Sequence, residues 1–109
     1  MKYTIFVLYQ ALPAWLRLSR PERQAIFTQQ VGPVLARYDG QVRVRLFDSE
    51  AFHARVSDVL LVECEDLSAY YFFWEALRDT ALFAEPYIEL RDVIIGLEDG
   101  FRTYERAAP

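Results

Sequence analysis

A chain of 109 residues has room for one core, and at 53% apolar and 16% aromatic content this one has the material to build it, which excludes intrinsic disorder. The formal net charge is −4, Lys2 is the only lysine and no basic block occurs, which excludes electrostatic capture of nucleic acid. A lone cysteine, Cys64, leaves no intrachain disulfide and predicts a reducing, cytoplasmic setting.

The opening MKYTIFVLYQALPAWL has one Lys before an apolar run, yet Tyr, Thr and Gln interrupt the run. It lacks a small-residue cleavage pattern and is too short to span a bilayer, so neither a signal peptide nor a membrane anchor is expected. Lys2–Gln10 reads instead as a first strand. Tyr3, Ile5, Val7 and Tyr9 point one way; Thr4, Phe6, Leu8 and Gln10 point the other. Ala11–Leu18 reads as a connection in which Pro13 limits regular structure. Its Trp15, Leu16 and Leu18 are too apolar for free solvation and are expected over a sheet edge or a cavity mouth.

Ser19-Arg20-Pro21-Glu22 fits a capping box opening a helix, with Pro21 in the first turn. Ile26, Phe27, Val31, Val34, Leu35 and Tyr38 form its apolar stripe. Gly32-Pro33 interrupts the stripe and predicts a kink or break, with a short second helix ending near Asp39-Gly40. Gln41–Asp48 reads as an edge strand, with Val42, Val44 and Leu46 on one face and Arg43, Arg45 and Phe47 on the other. Ser49–Val56 is a polar loop holding His53.

Ser57–Glu65 is the strand around which the chain is organised. Its central Asp58–Glu65 run of Val and Leu has acids at both ends and no Pro or Gly. One alternating set is Leu60, Val62 and Cys64; the other is Val59, Leu61, Glu63 and Glu65. Asp66 is a fitting N-cap for a helix over Leu67–Thr80, with Leu67, Tyr70, Phe73, Trp74 and Leu77 on one stripe and Tyr71 and Phe72 outside it. Leu82–Pro86 is a connector. Tyr87–Leu97 is a fourth strand, bent at Gly96, and Glu98–Pro109 a tail whose Phe101 and Tyr104 are expected to dock.

The order β-α-β-β-α-β over one domain, residues 1–109, predicts an α+β, ferredoxin-like fold with a four-stranded antiparallel sheet. Strands one and three, apolar on both faces, belong in the centre. Two helices cover only one face of such a sheet. Covering ~500 Å² of the other is worth on the order of 10 kcal/mol before association costs, so a homodimer, a dimeric α/β barrel, is expected.

Tyr3-Thr4-Ile5-Phe6-Val7-Leu8, Pro13-Ala14-Trp15-Leu16, Leu18-Ser19-Arg20 and Glu22-Arg23 also form a recognisable pattern. Together with Glu85-Pro86-Tyr87, Asp92-Val93-Ile94, Gly96–Phe101 and Tyr104-Glu105, they make the chain resemble the darcynin family of small bacterial proteins over nearly its full length. The resemblance implies a ferredoxin-like or dimeric-barrel fold and brings no catalytic residues.

Candidate chemistry is sparse. His53 is the only histidine and has no neighbouring carboxylate in sequence; a base is one reading, an ordinary loop residue the other. If the second and third strands pair symmetrically about His53, Arg43 lies opposite Glu63 and Arg45 opposite Leu61. These three are then either an exposed cross-strand ion pair or the polar end of a ligand pocket inside the barrel. Tyr9, Trp15 and Phe101 are candidates for its aromatic lid, so the ligand-binding set is Arg43, Arg45, Glu63, His53, Tyr9 and Trp15. Tyr70–Trp74 reads as core plus interface rather than a haem site. Haem-degrading monooxygenases of this fold share an Asn–His–Trp set, and the chain has no Asn. No metal site, cofactor loop or nucleophile triad is expected, and Cys64 reads as a buried, inert thiol. Three functions remain: a homodimer binding a small apolar or aromatic molecule, a cofactor-independent monooxygenase or isomerase, and a structural or partner-binding dimer with a filled interior.

Overall fold

The computed structural model describes residues 1–108. Strand β1 spans Tyr3–Ala11, β2 Arg43–Asp48, β3 Asp58–Cys64 and β4 Ile88–Gly96. They form one antiparallel sheet in the order β2-β3-β1-β4, so the strands that are apolar on both faces are central and the second and fourth are edges, as the sequence predicts. Arg43 does face Glu63 and Arg45 does face Leu61.

The covered face is the Tyr3-Ile5-Val7-Tyr9 face. Residues directly opposite across a ladder share a face, and Ile5 pairs with Val62, Val7 with Leu60. Ile5, Val7 and Val62 are fully buried, and they cluster with Val31, Tyr38, Phe73 and Leu77 from the helices. The other face carries Phe6, Phe47 and Ile94, which are 37%, 46% and 52% exposed. One bulge interrupts the ladder: Leu8 pairs with Asp92 but Tyr9 with Leu90, which leaves Arg91 unpaired. Gly96 ends β4 rather than bending it.

The helices depart from expectation in three places, each for a local reason. Pro13 does not prevent regular structure; it starts α1, Pro13–Leu16, at the first helical position, where no N–H is required. Helix α2, Arg20–Ile26, has the predicted capping box, with Glu22 N–H donating to Ser19 Oγ at 3.2 Å and Ser19 N–H to Glu22 Oε1 at 2.8 Å. The interruption expected at Gly32-Pro33 is present, as a π turn rather than a break. A π turn over Phe27–Val31 widens the backbone just ahead of Pro33, and α3 continues as Gly32–Arg37. Gly40, at φ 84°, follows in the left-handed region close after the helix end.

Helix α4, Leu67–Arg78, begins at Asp66, whose Oδ1 accepts from Ser68 N–H at 2.8 Å. It buries Ala69, Phe73 and Leu77, while Tyr71 and Phe72 are each 58% exposed. Where a plain connector was expected, Thr80 caps a further turn, α5, Ala81–Ala84. The tail is helical too: α6 spans Gly100–Ala107, and Phe101 and Tyr104 on it are exposed rather than docked. Among the described residues no helix is long and apolar enough to cross a membrane.

Candidate functional site

The covered face does not close completely against its helices. Between them lies a cavity of about 940 Å³, within the range that accommodates small ligands. Val44, Leu46 and Leu60 form its floor. Phe27, Val31 and Leu35 from the π turn and α3 form one wall; Phe73, Trp74, Leu77 and Phe83 form another. Phe27 and Leu46 line it yet are 44% and 58% exposed, which puts the mouth at the β2 edge.

The aromatic walls are braced from outside. Trp74 meets Phe83 edge to face at 5.3 Å and stacks on Tyr70 at 6.3 Å. Trp15 meets Tyr87 edge to face at 5.5 Å. Arg23 holds the short α1 in place: it donates to the Trp15 and Leu16 carbonyls at 3.1 and 2.9 Å and sets its guanidinium 5.9 Å from the Trp15 ring centre.

Polar groups gather at one end of the sheet floor. Tyr9, Asp58 and Asp48 stand in a row across β1, β3 and β2, and Tyr9 and Asp58 line the cavity. Buried Ser57 fastens this corner. Its Oγ donates to Asp58 Oδ2 at 2.7 Å and accepts from Ala11 N–H at 2.7 Å. Burial raises the Asp58 carboxyl above the usual carboxylate range, opposed by the Ser57 hydrogen bond and reinforced by the Asp48 charge. Burial, then the charges of Asp58 and Asp48, raises the Tyr9 phenol far above its ordinary value, so it stays a neutral donor.

The six residues singled out in the sequence do not form one site. Tyr9 and Trp15 line the cavity near the Asp58 end. Arg43 and Glu63 border the far end, although the register sets their side chains on the open face with Thr4. Arg45 also belongs to the open face, where its Nη2 meets Glu63 Oε1 at 3.1 Å, while Lys2 Nζ meets Glu63 Oε2 at 3.0 Å. The Lys2 hydrogen bond, with the charges of Lys2, Arg45 and Arg43, holds the Glu63 carboxyl below its usual range against the opposing effect of burial.

His53 is exposed and does not line the cavity. Its Nδ1 accepts from the Arg55 and Val56 N–H groups, both at 3.1 Å, so it shapes its own loop. Phe101 does not line the cavity. Cys64 is buried, and desolvation raises its thiol. Among the described residues no group of three His, Cys, Asp or Glu side chains could hold a metal ion. Asp58 and Phe83 went unselected. Asp58 has the parity of Leu60, Val62 and Cys64, and an acid continuing an apolar row was a legible sign. Phe83 had none, because its place depends on a helical turn read as loop.

A sequence model of the Darcynin family, described as "Darcynin, domain of unknown function", matches residues 1–109. Darcynin from Chromobacterium violaceum is 52% identical over 73 residues, covering 67% of this chain and 91% of its own. A darcynin homolog from Streptomyces avermitilis is 42% identical over 102 residues, covering 93% and 84%. Among solved structures, chlorite dismutase from Candidatus Nitrospira defluvii in complex with imidazole superposes with a TM-score of 0.75 at 18% identity. The match takes in 87% of this chain but 39% of the dismutase chain, so this protein spans about two fifths of that enzyme's length. An arginine-to-lysine variant of the same enzyme gives a TM-score of 0.74 at 16% identity, over 96% and 47%. At such identities the likeness is one of fold.

Proposed function

The chain belongs to the darcynin family, and from that premise we propose that it binds a small, largely apolar or aromatic molecule between its sheet and helices, as one half of a homodimer. The observation that carries the reading is the cavity of about 940 Å³, walled by aromatic side chains with a few polar groups at its ends. Trp15 and Trp74, the chain's two tryptophans, both line it. The homodimer is supported by the open sheet face, where Phe6, Phe47 and Ile94 are exposed around buried Leu61. The pocket this reading uses lies under the helices, so the two halves of the reading are separable.

Native mass spectrometry of protein purified without denaturation tests both at once. The expected result is a dimer that releases a small molecule, or an empty dimer whose tryptophan fluorescence shifts on adding Nile red. Protein that binds no apolar probe, with Leu60→Trp leaving the emission unchanged, rules out an open pocket.

A second reading, turnover without a cofactor, is favoured by one observation: Asp58, a carboxyl raised by burial, stands beside Tyr9 at the cavity end. Asp58 would then move a proton and Tyr9 would orient the substrate oxygen. Once a ligand is identified, Asp58→Asn abolishing its conversion while sparing its binding selects this reading.

A further inference from the structure

We propose that the ligand of this cavity carries a protonated amine on an aromatic or apolar body, and that Asp58 receives the amine. The inference rests on the binding reading above and adds the chemistry of the ligand's polar end. The cavity walls are aromatic, with Trp15, Trp74 and Phe83 among them and Tyr9 beside Asp58 on the floor. Aromatic faces attract cations, most strongly where water is excluded. Asp58 Oδ2 is engaged by Ser57, and the carboxylate meets no Lys or Arg among the described residues. Asp48, its cross-strand partner, adds a second negative charge and likewise meets no cation there.

Two of the molecule's cations are committed to another carboxylate. Lys2 and Arg45 neutralise Glu63 on the open face, five positions along β3 from Asp58. Among the described residues, Asp58 and Asp48 therefore stand side by side with no Lys or Arg within ion-pair distance. An anionic head group meets repulsion there, and a neutral one leaves the charge unanswered. A primary ammonium on a short linker supplies the missing cation and three donors, while its ring packs on the aromatic wall.

The test is titration of the full chain with three probes of similar shape: 2-phenylethylamine, 2-phenylethanol and 3-phenylpropionate, followed by amide chemical shifts. The expected result is amine binding at least tenfold tighter than the alcohol and tighter still than the carboxylate, with shifts at Tyr9, Leu60 and Trp74. In Asp58→Asn the amine and alcohol converge to within about twofold. Wild-type protein that binds alcohol or carboxylate as well as amine overturns the proposal and leaves the cavity reading standing. That comparison does not depend on any variant folding. Protein that binds none of the three, and no Nile red either, overturns both.

Discussion

Single residues decide how the polar corner is paid for, and Ser57 is the clearest. Its hydroxyl serves Ala11 N–H, Asp58 Oδ2 and, at 3.4 Å, the Tyr9 carbonyl. Ser57→Ala leaves the Ala11 N–H without its partner and is expected to cost about 1–3 kcal/mol in urea unfolding. Asp58 acts in the opposite sense. Its carboxyl takes up protons more readily when folded than when unfolded, because burial penalises its charge. That penalty is present above the raised folded value and fades as pH falls toward the ordinary carboxylate range. Asp58→Asn is expected to stabilise the protein at pH 7 by under about 1 kcal/mol, since the group is part-solvated, and to do less at pH 4. Unfolding free energies at the two pH values check this; equal effects would mean that burial does not govern this carboxyl. In the core, Phe73→Ala is expected to cost about 3–5 kcal/mol, because Phe73 is fully buried between the sheet and Tyr38, whose ring it meets edge to face.

Elements differ in how much of them the sequence made legible. Strands were readable because alternation reports which positions share a face, and pairing β2 and β3 symmetrically about His53 gives the observed register. The α2 and α4 starts were readable because Ser19 and Asp66 carry caps with a fixed spacing. Removing the first cap, Ser19→Ala, is expected to lower stability by about 1 kcal/mol, checked by thermal melts against Ser19→Asp, which retains an acceptor. One-turn helices were not readable. α1 and α5 are too short for a 3.6-residue period to show, and they persist through tertiary contacts, α1 through Arg23 and α5 through its Thr80 cap and Gln30, which accepts from Ala81 N–H at 2.7 Å. The π turn was hidden for another reason: Pro33 announces a disturbance but not whether the chain breaks or widens. The site suffered from the same ambiguity as the sheet. Two apolar faces gave no sign of which one the helices take; Arg45 and Glu63 fall on the open face, where the interior of a paired-sheet barrel would lie, whereas the cavity under the helices opens on the other face.

The whole molecule is longer than its residue number suggests. Its Cα radius of gyration is 15.8 Å and its longest extent 58 Å, against about 13 Å for the radius expected of a compact chain this size. Much of the excess is consistent with α6, in which every residue from Phe101 to Ala107 is exposed. Truncation after Glu98 is expected to change the unfolding free energy of a dilute protomer by less than about 0.5 kcal/mol. A larger loss would mean that the helix is held by something beyond its own chain. The charge map has a practical reading as well. Lys2 is the only lysine, and its ammonium sits on the open sheet face, bonded to Glu63. An amine-reactive acylating reagent therefore has one side-chain target, located where a second copy would lie. Slower acylation of Lys2 at higher protein concentration, scored by peptide mass against the α-amino group of Met1, would trace the covering of that face in solution without any engineered label.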